Sequence, residues 1–372
     1  MTLRRFLTGL AAPVAALLVA LAISSLALLA TGNSPGSTFE AMWEFGTRER
    51  SLIGTVNRAV PLYLSAVAVA IGFKMGLFNI GVEGQYRLAA VVAAAAGAWV
   101  TLPAVLHVPF ILLVAMATGG AWAGVAGVLK ATRGVHEVIA TIMLNTIATG
   151  ISAYLLANYF QDESGSLNIA TREIAPSGRI PSLNGILESI IGHPPEGNLH
   201  GFLVVALLAG VLFWVIVFRT RFGFELRATG LNPWAAQASG VDSKGMIIRA
   251  MVLSGAVAGL VGMAPLLGFF NRYTLDFTTG LGFAGIGVAL LGRNHPVGMA
   301  GAALLFGFLS TSAQILDLED IPKEIVDIMQ GVILLSVVVA WEVVRRIVAA
   351  AEVRAAAEHD ERHDTPAEAV VA

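Results

Sequence analysis

Apolar runs close to the ~20 residues that a helix needs to cross a bilayer recur from one end of the chain to the other. Ten such segments are expected, at approximately 10–31, 59–73, 83–102, 109–129, 137–160, 200–218, 247–268, 280–292, 297–316 and 324–344. The third and the eighth open on glycine-rich, partly polar residues, and the eighth is too short to cross as one straight helix. The pattern predicts an all-α, polytopic membrane protein. The polar intervals divide it into residues 1–58 (a first span and an interfacial segment), a transmembrane domain over 59–344 and a charged tail over 345–372. Residues 32–58 carry Trp43 and Phe45 among charges and suit a short helix lying at the membrane surface. Residues 161–199 hold Pro176, Pro181, Pro194 and Pro195 and read as an irregular loop. The tail from Arg345 is Ala-rich and charged, continuing a helix before becoming disordered.

Composition agrees. Of 372 residues 56% are hydrophobic and 13% charged, against about 25% charged in a soluble domain. Forty glycines suit helices that approach closely inside a membrane. Arg4 and Arg5 precede an apolar stretch from Leu10 to Ala30, longer than the 7–15-residue core of a cleaved signal, so a retained first span is expected. With both ends cytoplasmic, fifteen Lys and Arg fall inside and seven outside, with Arg87 left in the membrane, which satisfies the positive-inside rule. A net charge of −2 points to no nucleic-acid partner, and the absence of cysteine excludes disulfides and thiolate chemistry.

The densest polar signal is Gly76-Leu-Phe-Asn-Ile-Gly-Val-Glu-Gly-Gln85, which places Asn79, Glu83 and Gln85 among apolar spans. Three glycines, Gly76, Gly81 and Gly84, break or pinch a helix, and polar groups at bilayer depth usually line a pathway rather than face lipid. Asn79 and Phe78 are candidate substrate contacts, because an amide bonds a hydroxyl or a base edge and a phenyl ring offers a stacking face. Glu83 and Arg87, four residues apart, share a helix face in the favourable order. Arg87 reads as a structural partner that neutralises a costly charge, while Glu83 fits either that pair or a pathway wall. Ile80-Gly81-Val82 returns as Ile286-Gly287-Val288 after the run Gly280 to Gly285, an offset of 206 residues. Five spans lie between the copies, so they run in opposite directions, and paired broken segments in two inverted halves point to a midplane site. Chance recurrence of glycine and β-branched residues is the alternative.

Thr141, Asn145 and Thr149 form a stripe along the fifth segment, suited either to a pathway or to interhelical bonding. In the loop 219–249, Asn232 can cap a helix that starts at Pro233, continues through Trp234, Gln237 and Ser239, and ends at Gly240. That isolated helix suits docking of a cytosolic partner, or a plain connection resting on lipid headgroups. No lysine follows a glycine, so the phosphate-binding loop G-x-x-x-x-G-K-[ST] is absent. His136-Glu137 lacks the second histidine of a zinc protease helix, and His359 with His363 lies in a charged tail without apolar support, so no metal site is expected.

Four stretches together carry a family resemblance: GLFNIGVEGQ at 76–85, HEVIATIMLN at 136–145, LRATGLNPWAAQASGV at 226–241 and GFAGIGVALLGRNHPVG at 282–298. They resemble the membrane permeases of ATP-binding-cassette importers of the branched-chain amino acid, ribose and nucleoside family, most of all the longer permease of nucleoside importers. The resemblance runs from about residue 55 to 345. It implies a non-enzymatic transport subunit in a bacterial cytoplasmic membrane. Its expected partners are a shorter homologous permease, a cassette ATPase that binds ATP and Mg, and an extracytoplasmic binding lipoprotein that delivers a nucleoside. Carried onto this chain, the coupling helix falls on Asn232, Pro233, Trp234, Gln237 and Ser239. The pathway falls on Phe78, Asn79, Glu83 and Asn145, with a counterpart near Phe283 to Gly287. A simple sugar or a branched-chain amino acid is an alternative cargo. An ion-coupled secondary transporter is the rival class, and it has no need of a capped docking helix in the 219–249 loop.

Overall fold

The computed structural model describes residues 18–162, 169–319, 321–322, 324–336 and 339. The tail 345–372, the first residues of the 10–31 segment and the last of the 324–344 segment lie outside them. Among the described residues every regular element is helical, joined by three isolated antiparallel bridges: Gln161 with Thr171, Ala170 with Thr274 and Ser182 with His200.

Two units divide the chain. In the smaller one, α1 (Leu18–Ala30) is wholly apolar but for Ser24 and Ser25, and a glycine with φ of 82°, Gly32, ends it. A second helix of that unit, α15, occupies residues 324–336.

The larger unit, Ser37–Lys323, is built from long helices. In order these are α2 (Pro35–Gly46), α3 (Glu49–Lys74), α4 (Val82–Trp99), α5 (Ala104–Arg133), α6 (Glu137–Leu155) and the eight-residue α7 (Asn184–Ile191). They continue with α8 (Phe202–Arg219), α9 (Arg221–Leu231), α10 (Pro233–Ala238), α11 (Ser243–Val261), the single turn α12 (Met263–Pro265), α13 (Leu281–Leu291) and α14 (Pro296–Ser312). Five-residue π-helical turns extend α6 to Phe160 and α12 to Phe270. Such turns are rare and often mark functional places in a helix.

The core is α3 and α11. Leu64, Ala66, Val67, Ala68, Val69 and Ala70 are fully buried, as a helix apolar on all sides must be. Packing around α11 depends on missing side chains. A Cβ at Gly119 of α5 would strike the Gly255 carbonyl, one at Gly255 the Gly119 carbonyl, and one at Gly259 the Ala115 carbonyl. This is the close approach that small residues give membrane helices, where dispersion replaces the hydrophobic drive.

Among the described residues six helices are long and apolar enough to cross a membrane: Glu49–Lys74, Ala104–Arg133, Glu137–Phe160, Phe202–Arg219, Ser243–Phe270 and Pro296–Leu318. Counting α1 with α2 as one broken span gives seven, rather than the ten expected from the sequence. Three expected segments fall outside that count: 324–344, whose last residues lie outside the described ones, and two with local causes. The α4 helix carries Glu83 and Arg87 in its first two turns, and α13 has 11 residues, about 16 Å, against a core of about 30 Å. Glu49 to Arg58, with Gly54 among them, forms the first turns of α3, which runs on without a break to Lys74.

The expected short helix around Trp43 is α2, and its Trp43 ring packs against Phe308 of α14 at 5.9 Å. The 161–199 stretch is more ordered than its prolines imply. It holds α7 and a 3₁₀ turn at Pro176–Gly178, with 163–168 outside the described residues. His107, fully buried, ties this stretch down. Its Nε2 lies 3.0 Å from the Gly97 carbonyl and its Nδ1 2.8 Å from the Ser177 hydroxyl. A carbonyl only accepts, so Nε2 donates to Gly97, and Nδ1 shares the second bond with the Ser177 hydroxyl.

Candidate functional site

The polar break begins where α3 ends. Gly76 adopts φ of 70°, and the Leu77 and Gly76 amides bond back to the Gly72 and Phe73 carbonyls at 2.9 and 3.1 Å, a glycine-terminated helix end. The next residues turn and start α4, and three polar side chains hold the turn.

Asn79 is the first. It is fully buried, and its amide exchanges both bonds with Gln85: Nδ2 donates to Oε1 at 3.1 Å and Oδ1 accepts from Nε2 at 3.0 Å. Nδ2 also donates to Ser254 Oγ at 2.8 Å, and Oδ1 also accepts from the Gly81 amide at 3.0 Å. Ser254 in turn donates to the Ala68 carbonyl at 2.7 Å, so the knot joins α3, α4 and α11. All four bonds available to the Asn79 amide are spent within the protein. Replacing Asn79 by alanine strands the Gly81 amide and the Gln85 amide in a dry interior. We expect a loss of about 3 kcal/mol in unfolding free energy, read from a denaturant titration in detergent.

Asn145 is the second. Its Oδ1 accepts from the Gly84 amide at 2.9 Å and its Nδ2 donates to the Ile80 carbonyl at 3.0 Å, clamping the break to α6. A Cβ at Gly84 would lie 2.8 Å from the Asn145 Cα. Thr141 and Thr149 turn their hydroxyls back to carbonyls four residues earlier, Glu137 and Asn145. Within this stripe Asn145 bonds across to the break and Thr149 also accepts from Arg87 at 3.3 Å, whereas among the described residues Thr141 bonds only within α6.

Glu83 is the third and joins the two breaks. Its Oε1 accepts from the Gly280 amide and its Oε2 from the Gly282 amide, each at 2.9 Å, so one carboxylate caps the start of α13. The Tyr86 hydroxyl stands 2.9 Å from Oε1 and 2.8 Å from the Thr278 carbonyl. Gly280 adopts φ of 85°, and a Cβ at Gly282 would collide with the Glu83 amide nitrogen. The expected pairing of Glu83 with Arg87 is replaced by this cap. Free amide groups at a helix start, aligned with its dipole, outcompete a guanidinium one turn away. Arg87 instead reaches Thr149 Oγ1 at 3.3 Å, with its Nε buried and unpartnered among the described residues.

Phe78 is half-buried, its ring tilted against Phe73 with centroids 5.0 Å apart and its amide 3.3 Å from Glu137 Oε1. Lys130 anchors that carboxylate at 2.5 Å. Phe283 is 52% exposed beside the Glu83 cap and is the freest of the five pathway candidates. Tyr86 and Ser254 carry no local signal in the sequence, because their roles depend on partners 192 and 175 residues away.

The 219–249 loop folds as α9, α10 and the start of α11. Asn232 Oδ1 accepts from the Trp234 and Ala235 amides at 3.0 and 3.1 Å, Pro233 occupies the first turn, and Gly240 with φ of 85° lies just beyond Ser239. Ser239 returns its hydroxyl to the Ala235 carbonyl at 3.0 Å, and Ser243 bonds the Pro233 carbonyl at 3.0 Å. Gln237 is exposed, while Leu231 and Trp234 are 89% and 82% exposed, two large apolar side chains at one end of the molecule. One residue before Leu231, Gly230 lies flat on the end of α3: a Cβ there would come within 2.7 Å of the Met75 backbone and 2.8 Å of the Lys74 carbonyl. The loop and the polar break therefore touch without an intervening side chain.

A bundle of apolar helices around a polar break defines a multi-pass helical membrane protein. The chain belongs to the family described as branched-chain amino acid transport system / permease component, whose model matches residues 51–338. It is 38% identical over 343 residues to the guanosine ABC transporter permease protein of Bacillus subtilis (strain 168), covering 91% of this chain and 95% of that protein. It is 34% identical over 332 residues to the glucose ABC transporter permease protein of Haloferax volcanii, covering 88% and 86%. To the nucleoside ABC transporter permease protein of Lactococcus lactis subsp. cremoris it is 31% identical over 338 residues, covering 88% and 90%. No solved structure matches the chain.

Proposed function

We propose that this chain is the membrane-spanning permease subunit of an ATP-driven importer that carries nucleosides across a bacterial cytoplasmic membrane. The observation that carries the reading is the near full-length similarity to a guanosine permease. In this reading the chain is not an enzyme and binds no cofactor. A separate cassette ATPase holds ATP and Mg, a second, shorter permease completes the pathway, and an extracytoplasmic lipoprotein delivers the nucleoside. Both termini face the cytoplasm, and two inverted halves alternate around the joined breaks.

The mechanism follows the contacts. Closure of the ATPase dimer pushes on Trp234 and Gln237 of α10, the coupling helix. Gly230 transmits the displacement to the Met75–Gly76 turn, because backbone rests on backbone there and neither side can yield alone. The Asn79 knot and the Glu83 cap make 76–85 and the start of α13 one body, so the turn carries Phe283 with it. ATP sets the direction, and the pathway supplies different affinities in its two arrangements. A simple sugar is the second reading, favoured by the similarity to a glucose permease.

The test is uptake of radiolabelled guanosine into proteoliposomes that hold this chain with its co-encoded permease, ATPase and binding protein. Uptake that requires ATP supports the reading. ATP-driven uptake of glucose without guanosine changes the cargo, and uptake driven by an ion gradient without ATP overturns the machine.

A further inference from the structure

At the end of α4 away from the α9–α10 loop, a cavity of 140 Å³ opens between Ala95, Trp99, Tyr159, Phe160, Gln161 and Arg172. Ala98 shares its floor. Trp99 and Tyr159 border it and are 62% and 63% exposed overall, while the surface that lines the cavity itself is mostly polar. The Trp99 and Phe160 rings meet edge to face at 5.2 Å, which fixes the indole plane. Small residues of α4 make the space. The bridge between Gln161 and Thr171 brings Gln161 and Arg172 to the same rim.

Aromatic side chains at a membrane–water boundary form belts without binding anything. A belt explains Trp99 and Tyr159 but not what stands beside them. The Gln161 amide and the Arg172 guanidinium make no side-chain bond or ion pair among the described residues, so their hydrogen-bonding capacity at the rim is unspent. Aromatic faces with an unspent amide and guanidinium form the donor set that takes up a nucleobase, by stacking on the ring and bonding its edge. The size agrees, since a closed cavity of about 150 Å³ accepts a benzene ring, and this one is open, leaving room for an attached ribose. The cavity also continues the pathway candidates. Arg87 and Ala98 are 11 residues apart on α4, on nearly the same face and about 16 Å along the axis.

We infer that the cavity walled by Trp99 and Tyr159 is a receiving subsite for the base of a purine nucleoside, with Arg172 and Gln161 reading its edge. The inference rests on the nucleoside reading above. A guanidinium bonds the O6 and N7 acceptors of guanine as a pair, whereas adenine presents a donor at the corresponding N6. Guanosine and inosine therefore bind more tightly here than adenosine, and a hexose, with no planar edge of acceptors, binds least.

The test uses the full chain in lipid nanodiscs and 8-azidoguanosine as a photoprobe, with labelled peptides mapped by mass spectrometry and guanosine affinity measured by titration. Labelling is expected on the peptides containing Trp99 and 159–161, displaced by guanosine and not by glucose. Trp99→Ala should weaken guanosine about tenfold while Trp99→Phe keeps most of the affinity. Ala98→Leu, which fills the cavity without touching a polar group, should abolish labelling there. Arg172→Lys should cost guanosine about tenfold and adenosine far less. If guanosine is bound and labels only other peptides, such as the one with Phe283, the subsite is refuted and the nucleoside reading stands. Unchanged affinity in Trp99→Ala and Ala98→Leu leaves an aromatic belt alone and also refutes the subsite. If guanosine neither displaces the probe nor binds, while glucose binds, both fall together.

Discussion

Replacing Glu83 by alanine should cost about 4 kcal/mol of stability and abolish uptake. The carboxylate is 7% exposed and receives two amide bonds and one phenol. Bonds to an ionised acceptor contribute roughly 1.5–3 kcal/mol each, and the amides of Gly280 and Gly282 would be left at a helix start with no water to replace them. Glutamine keeps one acceptor but turns an NH₂ toward one of the two amides, so Glu83→Gln should lie between, at about 2 kcal/mol. Aspartate keeps the charge and falls one methylene short. Denaturant unfolding of the purified chain in detergent ranks the three. If Glu83→Gln matches the parent in both stability and uptake, the carboxylate does not hold the two breaks together.

Gly230→Val should leave the chain folded and the ATPase bound, yet separate ATP hydrolysis from transport. Its side chain has to enter the space held by the Met75 and Lys74 backbone. Overpacking at such a contact costs about 1–3 kcal/mol, and α9 relieves it by lifting away from the end of α3. A change of that size shifts a two-arrangement equilibrium about tenfold or more. Uptake per ATP hydrolysed in proteoliposomes should fall by at least that factor. Trp234→Ala acts one step earlier: its exposed side chain supports no fold, so loss there should appear as weaker stimulation of the ATPase. Gly230→Val with full coupling would mean that force enters the bundle elsewhere.

The helical class, most segment positions and the capped α10 were legible from local rules. Spans follow length and apolarity, and Asn232, Pro233 and Gly240 punctuate a helix whatever surrounds it. The break at 76–85 was legible as well, because polar residues among glycines stand out in an apolar chain. What those residues hold was not. Glu83 with Arg87 at i, i+4 is a sound local expectation, and it gives way to amide groups 197 and 199 residues away that no spacing rule reveals. Asn79 looks like a free ligand in sequence because its partner Ser254 belongs to α11. The span count among the described residues is lower for a similar reason: α13, at 11 residues, is shorter than a straight crossing and its start is held by a cap from another helix. The cavity at Trp99 needs the 161–172 segment folded back over α4, a long-range arrangement with no local signature.

The most direct measurement is hydrogen exchange at the Gly280, Gly282 and 78–85 amides of the assembled importer, with and without trapped ATP. A single joined body that tilts as a unit keeps these amides equally protected in both states, while exchange at 228–242 changes with ATP. Faster exchange at Gly280 and Gly282 on ATP binding, with 228–242 unchanged, would contradict the joined break and place the moving hinge between α4 and α13.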